Sequence, residues 1–270
     1  MFILLTVYLL LVGFALGSFT LLLVDRMHAK KNWVSGRSEC VKCKKKLEVR
    51  DLIPVLSWVY NRGQCRHCKV KLSKSYPISE LALGAGLALS FVFWPVELNS
   101  AIAIAMFVVW IFALILLSAL FIYDMRWFLL PNKLVFPLIY TSVVWMILDV
   151  VDKGFTAGLV WEYLLSICVS SGLFLVLFVI SQGKWIGDGD IRLGLAIGLF
   201  TGSWAESWLV IFVASVIGLV FAAPQLLKKS KKDKLKMKLP FGPALILALY
   251  IVMLVGAQII EWYKTDILLL

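Results

Sequence analysis

The chain has 270 residues, of which 61% are hydrophobic and 16% charged, with a mean hydropathy of +0.93. That balance excludes an ordinary water-soluble domain and indicates an all-α polytopic membrane protein, because only helices and closed barrels satisfy their backbone groups in lipid. The net charge of +11 does not call for nucleic acid, since the basic residues adjoin apolar runs, where anionic lipid attracts them.

Runs of about 18 or more apolar residues are long enough to cross a bilayer as helices. In chain order they cover Met1 to Val24, Tyr76 to Val96, Ser100 to Tyr123, Leu134 to Leu148, Leu159 to Ser181, Ile191 to Thr201, Trp204 to Leu227 and Phe241 to Trp262. The fourth and sixth are short, so the expected bundle has about eight transmembrane helices, with six or seven left open. The first run lacks a basic leader and a small-residue cleavage site, which reads as a retained helix and not a cleaved signal. Trp94, Trp127, Trp185 and Trp204 fall near span ends and suit interfacial anchoring.

Lys and Arg in short loops mark the cytoplasmic side. Of 27 basic residues, 14 lie between Arg26 and Lys74 and seven between Lys228 and Lys238. Four more, Arg126, Lys133, Lys184 and Arg192, flank the acidic segments discussed below. The opposite loops hold only Lys153 and Lys264, with Glu97, Asp149, Asp152, Glu162, Glu206, Glu261 and Asp266. The N-terminus is therefore expected outside, in the cytoplasmic membrane of a cell, with the segment from Asp25 to Ser75 in the cytoplasm.

That segment contains Cys40, Cys43, Cys65 and Cys68 as two CxxC pairs. Paired thiolates at this spacing close a tetrahedral zinc site. A disulfide is the alternative, but a reducing compartment disfavours it. A segment this poor in large apolar side chains also needs the folding energy a metal supplies. Cys168, mid-helix, reads as a small buried hydrophobe, and His67 and His28 carry no clear role. The expected organisation is 1–24 as a first transmembrane helix, 25–75 as a cytoplasmic tetra-Cys zinc domain, and 76–270 as a transmembrane domain.

Two carboxylates end apolar stretches on the cytoplasmic side: Asp124 in YDMRWFLLPN and Asp190 in GDGD from Gly187. Ionisable groups at membrane depth are costly, so they stand for function by default. Two neighbouring carboxylates can share a proton and activate water, the minimum equipment of an aspartic protease. Gly187 and Gly189 permit unusual backbone angles and close approach, which suits an extended peptide entering between helices. Pro131 stops helix continuation after Asp124 and keeps a mouth open to water. Glu80, in an apolar setting, is either a residue beside the active site or a helix N-terminal charge. For either aspartate alone, capping a helix end or meeting solvent is the ordinary alternative.

Taken together the motifs resemble one family closely. They are GSF at Gly17 to Phe19, the paired CxxC, DLIPVLSWVYNRGQCRHC from Asp51, LSKSYPISELALG from Leu72, Asp124 with Leu130 and Pro131, GDGDIRL from Gly187, and LPFGPAL from Leu239. In this order they are similar to the bacterial type IV prepilin peptidases across nearly the whole chain. The resemblance implies an inner-membrane aspartic endopeptidase that removes the basic leader of prepilins or pseudopilins on the cytoplasmic side. It implies Asp124 and Asp190 as the catalytic pair, with Asp188 at a variable position. Many members also methylate the new N-terminus with S-adenosylmethionine.

The chain departs from the family pattern at Thr20 and Leu21, at Val41 within the first CxxC, and at Asn132, where LPN replaces LPD. No ligand or carboxylate is lost. The methyltransferase expectation rests on resemblance alone, for no glycine-rich nucleotide-binding turn is present. Other intramembrane GxGD proteases are disfavoured by the tetra-Cys segment and its RGQC context. A non-catalytic zinc-module scaffold for a secretion or pilus system is the remaining alternative, and both aspartates speak against it.

Overall fold

The computed structural model describes residues 1–32, 39–40, 42–228 and 240–267, with side chains as far as 223 and 266 in the last two stretches. Most of the basic run from Lys228 to Lys238 thus lies outside the described residues, as do Val41 and Leu239. Among the described residues the chain is helical, with two isolated β-bridges. It divides into two compact units, Met1–Trp94 and Pro95–Leu270.

Unit 1 consists of helix α1 (Phe2–His28), the cysteine-bearing segment with the short helix α2 (Leu56–Tyr60), and α3 (Ser75–Val92). Helices α1 and α3 cross at small residues. A Cβ on Gly13 would stand 2.5 Å from the Cα of Gly84, and one on Gly17 would stand 2.5 Å from the carbonyl oxygen of Ser79. With no hydrophobic drive between helices in lipid, such close backbone approach is what holds them together. Thr20, one of the departures from the family pattern, is buried in this helix and donates to Leu16 O at 2.7 Å. By packing, the chain divides after α3, whereas the sequence reading placed the boundary at 75/76.

Unit 2 comprises α4 (Ala101–Trp127), α5 (Asn132–Lys153), α6 (Ala157–Ile167), a π-helical turn (Cys168–Gly172), α7 (Leu173–Ser181), α8 (Asp188–Thr201), α9 (Trp204–Lys228) and α10 (Gly242–Trp262). Ser100 caps α4 by accepting from the Ala103 amide at 3.0 Å, and Thr156 caps α6 in the same way. Pro137 lies inside α5, where the Thr141 hydroxyl donates to its carbonyl at 2.8 Å. Trp110 is fully buried, stacked on Tyr250 and packed against Phe200 and Trp145, and this aromatic cluster joins α4, α5, α8 and α10. Cys168, expected to be buried, is exposed at the start of the π-helical turn, in a chain whose outer surface meets lipid.

Among the described residues, seven helices are long and apolar enough to cross a membrane: Phe2–His28, Ser75–Val92, Ala101–Trp127, Asn132–Lys153, Ala157–Ser181, Trp204–Ala223 and Gly242–Asp266. The eighth expected span forms as α8 but has only 14 residues. At about 1.5 Å per residue it rises about 21 Å, against a hydrocarbon core of about 30 Å. Its surroundings explain how so short a helix fits. Leu193, Gly194, Ala196, Ile197, Gly198, Leu199 and Phe200 are all buried, so α8 faces protein and not lipid. Backbone at its ends can then be met by polar side chains at depth. Ser166 donates to Gly198 O at 2.8 Å and lies 2.9 Å from Thr201 Oγ1 and 2.8 Å from Ser207 Oγ. Gly194 and Gly198 make this packing possible, because a Cβ on either would stand 2.5 Å from Ser170.

At one end of unit 2, Asp149 accepts from Tyr163 Oη at 2.8 Å and pairs with Lys153 at 2.9 Å. The α4–α5 junction and the first turns of α8 and α10 lie at the other end.

Candidate active site and metal centre

The four cysteine sulfurs all lie within 4.8 Å of one another. Cys40 Sγ and Cys68 Sγ are 3.8 Å apart, far beyond a disulfide bond and close to the ~3.8 Å edge of a tetrahedron with ~2.3 Å zinc–sulfur bonds. The geometry comes from two turns of the same shape. In the first, Cys40 N donates to Lys45 O and Lys44 N donates to Cys40 O, both at 2.9 Å. In the second, Cys65 N donates to Val70 O at 2.8 Å and Lys69 N donates to Cys65 O at 2.9 Å. Lys44 and Lys69 hold φ of 56° and 57°, and single antiparallel bridges, Glu39 with Lys46 and Gln64 with Lys71, close both turns. The Cys43 backbone N–H, joined by that of Lys42, draws the Cys40 thiol down to about 6 despite its burial. The sulfur geometry lets the cluster hold a metal ion, with the Cys40 thiol drawn down and that of Cys43 pushed up beside it. The repeat was visible in the sequence as a lysine one residue after each CxxC, a signal the spacing argument passed over.

In unit 2, α4 places Asp124 one turn before its end, where it is buried at 5% exposure. The helix is closed by Phe128 in the left-handed conformation, φ 55°. Pro131 does not end α4 but starts α5 as its N-cap. Asp190 lies in the first turn of α8, half-buried, and its Oδ2 accepts from the Gly187 backbone N–H at 3.2 Å. The backbone amide of Gly242, at the start of α10, donates to Asp124. Each carboxylate is thus held by a glycine amide, and the two are close enough for their charges to interact.

Leu130 sits between them. A Cβ on Gly189 would meet Leu130 Cβ at 2.8 Å, and one on Gly242 would meet Asp124 Oδ2 at 2.6 Å and Leu130 Cδ2 at 3.5 Å. Gly189 packs closely on Leu130, while Gly187 has open space around it, with Asp190 Oδ2 no nearer than 3.6 Å. Gly187 is extended with φ −81°, and Gly189 is not among the left-handed glycines, so neither contributes unusual backbone angles. Gly242 is the residue the sequence reading missed. Its motif was recognised, but nothing local ties a glycine opening the last helix to a carboxylate on α4.

Asp188 is exposed and pairs with Arg192 Nη2 at 2.5 Å; Arg192 also donates to Asn132 Oδ1 and lies over the Phe136 ring at 5.6 Å. This arginine joins the first turns of α5 and α8. Glu80 belongs to unit 1. It is 5% exposed on α3, and its Oε2 accepts from the Val55 N–H at 2.6 Å. Val55 is a β-branched residue at φ 60°, a conformation that persists only where its surroundings impose it. His67 stands beside the cysteines in the chain but is not part of their cluster.

Comparison with known proteins identifies the family of the chain. Residues 11–96 match the bacterial peptidase A24 N-terminal domain, and residues 111–223 match the type IV leader peptidase family. A prepilin leader peptidase/N-methyltransferase of Burkholderia pseudomallei is 33% identical over 227 residues, 82% of this chain and 68% of the relative. One of Bacillus subtilis is 26% identical over 251 residues, 93% of this chain and 94% of the relative. One of Stutzerimonas stutzeri is 26% identical, covering 84% and 74%. No solved structure matches.

Proposed function

Because the chain belongs to the type IV leader peptidase family, and is thereby an integral inner-membrane protease that processes leader peptides, we propose that it works as an aspartic endopeptidase through Asp124 and Asp190. The observation that carries this reading is the convergence of two carboxylates, each held by a glycine amide, at one end of the unit 2 bundle. In the cycle, a water held between the carboxylates gives a proton to the ionised one as it attacks the scissile carbonyl. The other carboxylate, protonated, donates to the carbonyl oxygen, and a tetrahedral intermediate forms. Returning the proton to the departing amine nitrogen breaks the peptide bond. Gly189 and Gly242 let the chain segments close on this centre without displacing Asp124, and Gly187 leaves room at its mouth for an extended peptide.

The substrates are prepilins or pseudopilins; the relatives' names speak of prepilins for those proteins. The reaction takes place on the cytoplasmic side. The positive-inside pattern requires α8 to cross despite its length, for otherwise the lysines after α9 would face outward. The burial of α8 within the bundle supports that crossing. Anionic lipid, and no nucleic acid, is the partner of the basic loops. The tetra-Cys cluster binds one structural zinc, with Cys40, Cys43, Cys65 and Cys68 as its ligands. The chain further acts as an N-methyltransferase on the amine that cleavage releases, and S-adenosylmethionine would supply the methyl group from its sulfonium. Cleavage of a prepilin-like peptide by purified protein, with Asp124→Asn and Asp190→Asn as comparisons, tests the peptidase reading.

A further inference from the structure

Unit 1 contains an open-mouthed cavity of about 950 Å³ lined by α1, the cysteine-bearing segment and the start of α3. Its volume lies at the upper end of the ~300–1,000 Å³ range of small-molecule and cofactor sites. Leader cleavage, as assigned to Asp124 and Asp190, makes no use of it. Phe19, Trp58 and Tyr76 supply aromatic wall, Asp51 and Arg66 supply opposite charges, and Glu80 of α3 lines it as well.

Two groups around this space lack the partners that buried polar atoms normally have. Trp58 Nε1 and Arg66 Nη1 are buried with no hydrogen-bond partner, although Arg66 Nη1 has Asp51 Oδ1 3.7 Å away as an ion-pair neighbour. Glu80 spends one oxygen on the Val55 amide, and the other makes no hydrogen bond among the described residues. A carboxylate 95% buried with half its capacity unused marks a binding function more readily than a structural one.

We propose that this cavity takes the methyl donor, a sulfonium-bearing adenosine with an amino-acid tail, with Glu80 facing the cationic sulfur and the aromatic side chains flanking the purine. The proposal rests on the N-methyltransferase reading above and assigns it a place in unit 1. The residues fit the group by kind. A sulfonium is a cation that a buried carboxylate and aromatic faces both stabilise. A purine presents a π-face to Trp and Tyr, and the donor's own carboxylate finds a guanidinium in Arg66.

The test is equilibrium dialysis of radiolabelled S-adenosylmethionine against the full-length, metal-loaded protein in lipid nanodiscs, with bound metal as the check on folding. Glu80→Gln, which keeps an acceptor for the Val55 amide, weakens donor binding by about tenfold or more. Trp58→Phe weakens it by several-fold, and Asp190→Asn leaves it unchanged. An azidopurine analogue of the donor, photolysed on the unaltered protein, labels the peptides carrying Trp58 or Tyr76, a readout that needs no variant. Donor binding that is intact in both variants, or label confined to unit 2, overturns the site while leaving the methyltransferase reading standing. Failure of the unaltered protein both to bind the donor and to methylate a cleaved product overturns the two together.

Discussion

The cysteines of unit 1 and the aspartates of unit 2 are assembled in opposite ways. The four sulfurs come from two turns of one shape, each closed within a few residues by its own backbone bonds and by a lysine at positive φ. The aspartates come from α4 and α8, and Asp124 is held by an amide from α10. Local geometry builds the first site, so only the ion is needed to join its halves. Packing of several helices builds the second, so its geometry depends on residues that carry no chemistry. Substitutions in unit 1 should therefore act through folding of the segment, and those in unit 2 through position.

Removing the metal is the largest perturbation this contrast predicts. A tetra-thiolate site contributes on the order of 10 kcal/mol or more of apparent binding energy at neutral pH. Chelation, Cys43→Ser or Cys65→Ser should each open the segment between α1 and α3 to protease. Metal analysis should give about one zinc per chain before treatment. A metal-free preparation that resists protease equally well would break the contrast at its first term.

Next come the glycines around the carboxylates. Gly242→Ala puts a methyl 2.6 Å from Asp124 Oδ2, and Gly189→Ala puts one 2.8 Å from Leu130 Cβ. A misplacement of about 1 Å can cost about a hundredfold in turnover, so both variants should lose about that much cleavage while remaining in the membrane. Gly187→Ala meets open space and should stay within a few-fold of the unaltered enzyme. Equal losses in all three would show that the glycines serve the chain path and not the carboxylates.

How much of this was legible beforehand follows the same division. The cysteine site could be read because CxxC fixes two ligands in one turn, and the helices could be read because lipid demands long apolar runs. Both aspartates were found because charge at the end of an apolar run is costly. Gly242 could not be weighed, since its importance lies in an approach between α10 and α4 that no local pattern records. The shortness of α8 left the span count open for a related reason: hydropathy assumes lipid around a span, and α8 is surrounded by protein. Gly13, Gly17, Gly194 and Gly198 form two GxxxG pairs that mark both tight crossings, a signal present in the sequence and unused.

Smaller effects sharpen the comparison further. Gly194→Ala or Gly198→Ala should destabilise unit 2 by about 1–3 kcal/mol through overpacking against Ser170, read as a lower midpoint in thermal unfolding in detergent. Gly158→Ala, with nothing within 4 Å, should not. Arg192→Ala removes the tie between the first turns of α5 and α8, but its partners are partly exposed. Such pairs contribute about 0–1 kcal/mol, so cleavage should fall only several-fold. Arg192→Lys, which keeps the charge but not the planar fork, should recover part of it.

The central claim is that both carboxylates act together in hydrolysis. It is tested most directly by the rate of leader cleavage from a prepilin-like substrate by Asp124→Asn, Asp190→Asn and Asp188→Asn in one membrane preparation. The account predicts no measurable cleavage from the first two, with metal content and membrane insertion unchanged, and substantial cleavage from the third, whose exposed side chain only pairs with Arg192. Full activity in either Asp124→Asn or Asp190→Asn would contradict it.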